Sequence, residues 1–247
     1  MAVPAPSSVK LARAADTAAT NESTIQTIPP AESIQAGRSG NQTLLNEMLL
    51  AATANNRLAI LNLPSDHVYD FMNPPSTSAV TQGLDGHIVR ADRKMFPALI
   101  GNGIGMAMGF LGPCGFNTPH VHNRGAEMNI PVIGRLGTEF ILENGATLIR
   151  NNLNTFQMTI FPQGAIHAEW NPHCTNMTFV AAFPSEDFGV SQIANRQFSF
   201  DDDLLEGLFA SDFAINGRDI DQFKSAIPEN VAFGVGSCLA ACGISKR

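Results

Sequence analysis

Between residues 85 and 183 the chain consists of short runs of apolar or β-branched residues separated by clusters of Gly, Pro and Asn. The runs are Ile104–Leu111, Asn129–Ile133, Thr138–Leu142, Thr147–Ile149, Phe156–Phe161 and Thr178–Phe183. Each is too short for a stable helix and is bounded by turn-forming residues, so each reads as a strand. A regular series of such strands predicts an all-β sandwich or barrel.

The flanks have a different pattern. Residues 1–40 are rich in Ala, Ser, Thr and Pro without apolar period, and read as an extended arm. Leu44, Leu45, Met48, Leu49 and Ala52 fall at helical spacing, which predicts a helix over about 42–56 with Thr43 as its cap. Beyond Pro184, Asp201–Asp203 precede Leu204, Leu205, Leu208 and Phe209, an acidic start that suits a helix N-terminus. A further helix is expected over 217–226. One domain therefore spans 41–230, with a barrel core at 85–185 and C-terminal helices at 200–226. A Gly-rich tail at 231–247 carries Cys238 and Cys242.

Composition narrows the partners. Asp and Glu number 22 against 15 Lys and Arg, a net charge of −7, which repels polyanions and argues against nucleic acid. No run approaches the ~20 apolar residues of a membrane-spanning helix. The opening MAVPAPSSVK has no apolar signal core, and Val3-Pro4-Ala5-Pro6 reads like a mature N-terminus exposed by cleavage. Three sequons (Asn21, Asn41 and Asn176), four cysteines and only four lysines point to a secreted protein. Four cysteines allow three pairings.

The chemistry lies in His120, His122, Glu127 and His167. The first three form H-x-H-x4-E. Alternate residues of a strand share a face, so His120 and His122 point the same way, and Glu127 follows on the next strand after a loop holding Arg124 and Gly125. Three imidazoles and a carboxylate suit manganese, iron, zinc or copper with open coordination positions. An isolated H-x-H is weak evidence, but here Gly134 follows Glu127 at x6 spacing, and Pro162-x-Gly164-x2-His167-x3-Asn171 follows downstream.

This pair of motifs resembles the two signatures of the cupin superfamily, and of germins in particular. Only the leading Gly of each motif is missing, replaced by Cys114 and by Phe156. Ala91-Asp92, Phe96 to Leu99 and Gly103 to Met106 resemble the germin segment before the first motif. Ala51 to Arg57 and Asp70-Phe71 resemble the spherulin-type cupins of fungi and slime moulds. The resemblance covers about 45–225. It implies a cupin jelly-roll barrel, with manganese held by His120, His122, Glu127 and His167. Family activities include oxalate oxidase, superoxide dismutase and nucleotide-sugar phosphodiesterase, and other members are storage or stress proteins. Three classes follow: a secreted manganese oxidoreductase acting on a small acid or a dioxygen species, a non-catalytic metal-binding storage, stress or cell-wall protein, and a non-redox metal-dependent lyase or isomerase.

The resemblance also assigns parts of the pocket. Oxalate-oxidising germins place two asparagines near the metal; Asn117 matches one, and Ala107 stands where the other would be. Gly103, Gly105, Ala107 and Gly109 alternate with larger residues, so one face of that strand is nearly bare. It either widens the cavity or admits an aromatic ring such as Phe161 or Trp170. Glu169, two residues after His167, is either a solvated carboxylate or one that orients a ligand or moves protons. His67, His87 and His173 read as structural or surface residues, and Gly164 and Asn171 as turn-formers. Germin-like dimers or trimers of dimers are expected, with Leu204, Leu205, Leu208 and Phe209 as an apolar stripe. If His120 sits opposite His167 in the barrel, Cys114 faces position 173. That predicts a Cys114–Cys174 bridge and leaves Cys238 to pair with Cys242.

Overall fold

The computed structural model describes residues 30–209, 217–228, 230–232 and 234–245. Residues 31–247 form one compact unit. Most of the expected arm, up to residue 29, lies outside the described residues. Its end is packed: Ile34 is buried and donates its N–H to Val68 O at 2.8 Å, and the Arg38 guanidinium reaches the Ile60 carbonyl and Asp66.

The expected first helix is two. Helix α1 spans Gln42–Leu50 and α2 spans Ala54–Ile60. Asn41, not Thr43, caps α1, its Oδ1 accepting from Leu44 N at 3.1 Å, and Thr53 Oγ1 caps α2. Leu44, Leu45 and Met48 close a small core with Leu61 and Ile100.

Among the described residues eleven strands follow: β1 (Val80–Gly83), β2 (Gly86–Ala91), β3 (Gly105–Leu111), β4 (Phe116–Val121), β5 (Glu127–Ile133), β6 (Leu136–Ile141), β7 (Ile149–Leu153), β8 (Thr159–Phe161), β9 (Ile166–Trp170), β10 (Met177–Phe183) and β11 (Ser191–Gln192). Four helices come after them among the described residues: α3 (Ile193–Gln197), α4 (Asp202–Phe209), α5 (Gly217–Ala226) and α6 (Gly236–Cys242). The strands form two antiparallel sheets, ordered β1-β2-β3-β10-β5-β8 and β11-β4-β9-β6-β7. Odd-numbered residues of β3 and β10 point inward, and Leu111, Leu136, Met177 and Phe179 build the core between the sheets. Among the described residues no helix is long and apolar enough to cross a membrane.

The bare face of β3 is occupied by aromatic rings, though not by Phe161 or Trp170. A Cβ on Gly109 would lie 2.1 Å from the Phe179 ring, and one on Gly105 would lie 2.8 Å from the Phe188 ring. Trp170 instead covers Gly137 of β6. Only Ala107, between the two glycines, is left to line open space.

The strand bearing the histidine pair is irregular for a covalent reason. His120 pairs with His167 as expected, yet Asn117 pairs with Glu169, so β4 holds one extra residue between them. Pro119 sits in that interval and has no N–H for the ladder, which favours a bulge there. The bulge reverses the alternation, and Asn117 and His120, three residues apart, therefore reach the same face.

The expected disulfide pairing is wrong. The bridges are Cys114–Cys238 and Cys174–Cys242, each with Cα atoms 5.5 Å apart. The histidine register is right, but β9 ends at Trp170 and the chain turns at Asn171, whose side chain donates to Gly112 O and Thr175 O. The tail then runs along the start of β4, with Ala232 paired to Phe116 and Val235 N donating to Cys114 O. That places α6 over Cys114 and Cys174. Cys238 and Cys242 are one turn apart on α6, so their side chains project in parallel and each meets a barrel cysteine rather than the other.

Both residues that replace a motif glycine carry the backbone a glycine would adopt. Cys114 (φ 64°) and Phe156 (φ 65°) are the non-glycine residues with positive φ among those described. The expected apolar stripe on α4 is divided: Leu205 is buried, whereas Leu204 and Leu208 are 65% and 60% exposed. The side chain of Phe209 lies outside the described residues.

Candidate metal centre

The barrel brings His120, His122, Glu127 and His167 together. One donor atom from each lies within 4.8 Å of all the others, and all four residues are buried. His120 belongs to β4 and His122 follows its last residue; Glu127 opens β5 and His167 lies on β9. The five-stranded sheet thus supplies the imidazoles and the six-stranded sheet the carboxylate.

Each imidazole is oriented by the backbone. His120 Nδ1 donates to Thr118 O at 2.8 Å, His167 Nδ1 to Ala165 O at 2.8 Å, and His122 Nδ1 to Gly189 O. A carbonyl only accepts, so each Nδ1 carries a proton and each Nε2 is the nitrogen turned toward the cluster. His122 and His167 place Nε2 at 2.9 and 2.8 Å from Glu127 Oε2. Three Nε2 atoms and a carboxylate converging in a buried cluster match the donor chemistry of a divalent transition metal.

The protein groups alone polarise this cluster. Burial pushes His120 down to about 3, aided by the nearby His167. Burial opposes charge on Glu127, but hydrogen bonds and charge from His122 and His167 outweigh it and hold the carboxyl below its ordinary range. Burial likewise opposes charge on His167, yet the bond to Glu127 and the charge of Glu169 raise it to about 9. A bound cation would be held by His120, His122, Glu127 and His167 and would take the place of such a proton.

Asn117 and Glu169 both stand beside the ligands. Glu169 is fully buried, not solvated: it accepts from Asn117 Nδ2 at 2.9 Å and from Asn129 Nδ2 at 2.8 Å. Burial and the charge of Glu127 push it up to about 8. Asn129 was missed in the sequence, although it lies two residues after Glu127 and so shares its face. With its Nδ2 committed to Glu169, Asn117 has an Oδ1 without a hydrogen-bond partner. Phe161 stacks on His167, with ring centroids 4.3 Å apart, and Phe183 packs on His122 at 4.6 Å. These rings wall the imidazoles from water.

The cluster borders a cavity of about 550 Å³, lined also by Ala107, Asn117, Phe179, Gln192 and Asn230. Asn230 comes from the C-terminal segment, and its Oδ1 accepts from Thr118 N at 3.0 Å. His67 and His173 stand apart from the metal cluster. His87 is also outside it, stacked on Phe110.

Two antiparallel sheets facing each other over three imidazoles and one carboxylate define a metal-binding jelly-roll barrel. The chain belongs to the cupin family, whose sequence profile matches residues 72–221. It is 37% identical over 202 residues to Spherulin-1A of Physarum polycephalum, covering 82% of this chain and 80% of that protein. Germin-like protein 12-2 of Oryza sativa subsp. japonica is 31% identical over 133 residues, 52% of this chain and 58% of the relative. Among solved structures, oxalate oxidase superposes with a TM-score of 0.52 at 19% identity, covering 65% of this chain and 83% of the other. Oxalate decarboxylase from Bacillus subtilis gives 0.53 at 14% identity, over 62% and 38%. At such identities the superpositions establish the fold alone.

Proposed function

We propose that this protein is a secreted manganese-dependent oxidoreductase acting on a small organic acid or a dioxygen species. The observation that carries the reading is the position of the four-donor cluster, which is buried yet opens onto the 550 Å³ cavity. His120, His122, Glu127 and His167 would hold the metal, and manganese among the fitting ions follows from the germin resemblance. A bound manganese ion supplies one-electron chemistry and Lewis acidity at positions the protein leaves open. Around it, Phe161 and Phe183 exclude water, Asn117 offers Oδ1 as an acceptor, and Glu169 is a buried carboxyl able to hold a proton next to His167. Asn117 and Glu169 are the residues we assign to substrate positioning and proton transfer. The cavity falls in the range of sites that take ligands well above two carbons, so oxalate is a poor match for it.

The two disulfides and the exposed sequon at Asn176 support secretion and glycosylation. Asn41 is engaged in capping α1, and Asn21 lies outside the described residues. Exposed Leu204 and Leu208 support a homo-oligomer.

One observation favours the storage or stress reading instead: the donors come from both sheets, so a bound ion would cross-link the barrel whether or not it turned over. Elemental analysis of the purified protein, followed by superoxide and organic-acid oxidation assays, separates the two. Stoichiometric manganese with turnover is the expected result. Stoichiometric metal with no turnover on superoxide or any acid would overturn the enzymatic reading.

A further inference from the structure

The cavity carries positive charge besides the metal cluster. Among the described residues that line it the sole carboxylate is that of Glu127, whereas Arg90 and Arg196 also line it. That is unexpected in a chain of net charge −7. Arg90 is held by Ser78 O at 2.6 Å and Asp92 Oδ2 at 3.0 Å. Those contacts use Nη2 and Nε, and Nη1 makes no hydrogen bond among the described residues. Arg196 is exposed and has no ion-pair partner among the described residues. It lies one turn along α3 from Gln192, which pairs with His120.

The floor between Arg90 and the metal cluster is set by strand register. Arg90 pairs with Ala107, Ala107 with Ala181, and Ala181 with Asn129, a single cross-strand row over β2, β3, β10 and β5. Its ends are polar and its middle is two alanines, which leaves a slot across the inner face. Three strand spacings separate β2 from the strand that carries Glu127, about 14 Å between backbone axes. An acid of two carbons held at the metal cluster stays at one end of that slot.

We propose that Arg90 and Arg196 form a distal anion subsite, so that the ligand is an elongated acid with one oxyanion at the metal cluster and a second at the arginine pair. The inference rests on the metal-dependent reading above and specifies its substrate class. Arg90, although paired with Asp92, and Arg196 set two guanidiniums on the cavity that attract and orient such a dianion, and a guanidinium binds a carboxylate in a fixed fork geometry.

The test is calorimetric titration of the full-length, metal-loaded protein, after its metal content has been measured. The probes are oxalate, glutarate, adipate and the monoacid pentanoate. Glutarate or adipate is expected to bind roughly tenfold more tightly than both oxalate and pentanoate. Arg196→Glu should remove that advantage and leave pentanoate binding and metal content unchanged, while Arg196→Lys should keep most of it. At full metal content, equal binding of oxalate and the longer diacids, or an unchanged preference in Arg196→Glu, would overturn this inference alone. A wild-type protein that holds no metal would overturn the proposed function and the metal-anchored half of this inference with it.

Discussion

His167 Nε2 lies 2.8 Å from Glu127 Oε2, across the gap between the two sheets. Glu127 is the one donor from the six-stranded sheet, so it joins the metal cluster to the opposite wall of the barrel. Glu127→Ala and His167→Ala should each lose most of the bound metal, because three remaining donors hold a labile divalent ion poorly. Elemental analysis reads the loss, and full occupancy in both variants would refute the ligand assignment. Chelation should lower the melting temperature of the wild-type protein and leave these variants unmoved, since an ion bound only by the folded state stabilises it by mass action.

The tail is fastened by two bridges, and they make a specific map. Non-reducing peptide analysis should return Cys114–Cys238 and Cys174–Cys242. Replacing both Cys174 and Cys242 by Ser reopens a separation of 68 residues, which should cost about 4 kcal/mol in urea unfolding less any strain released. A Cys114–Cys174 peptide would restore the simple register and defeat the docking of α6 described above.

Phe156 holds a left-handed backbone while its side chain is 78% exposed. The left-handed conformation costs a non-glycine residue about 1–2 kcal/mol, and the added flexibility of glycine returns about 0.5–1 kcal/mol of that. Phe156→Gly should therefore stabilise the protein by up to about 1 kcal/mol in chemical denaturation. A clear loss of stability would mean that the exposed ring makes a contact of value, such as a subunit interface.

Gly109 is covered by the Phe179 ring, so Gly109→Ala should destabilise the barrel by about 1–3 kcal/mol through overpacking. A neutral result in thermal unfolding would show that Phe179 moves aside and that the wall of the cavity is softer than its packing implies.

The single tyrosine gives a spectroscopic check. Burial, with help from Asp92, pushes Tyr69 from 10.0 up to about 12, and its hydroxyl donates to Arg90 O at 2.9 Å. The folded-state value is the higher one. Its stabilising contribution is therefore complete below the unfolded pKa of 10.0 and is lost as pH rises through about 12. Tyrosinate absorbance should show a midpoint near 12 in the folded protein and near 10.0 once it is denatured. A folded midpoint at the ordinary value would remove Tyr69 from the packing under β2.

Much of this protein is local and was readable without coordinates. Strand alternation put His120 and His122 on one face, and motif spacing tied Glu127 and His167 to them, because ligand geometry on adjacent strands is fixed by residue counts. The runs Ile104–Leu111 and Thr178–Phe183 fall within one residue of β3 and β10, legible because their inward residues must be small or apolar. Thr147–Ile149 was a poor guide to β7, which spans Ile149–Leu153, because its polar face meets solvent and leaves no apolar pattern.

What the tertiary structure decided lies where segments far apart in sequence meet, or where one residue breaks a period. Pro119 shifts β4 by one residue and puts Asn117 beside Glu169, which strict alternation does not predict. Glu169 is buried because Asn117 and Asn129, on two other strands, satisfy both its oxygens. The cysteine partners follow from where the tail docks α6, and Arg90 and Arg196, far apart in sequence, come to line one cavity only in the folded barrel. No local pattern carries such information, since the energy that sets it comes from packing between segments separated by many tens of residues.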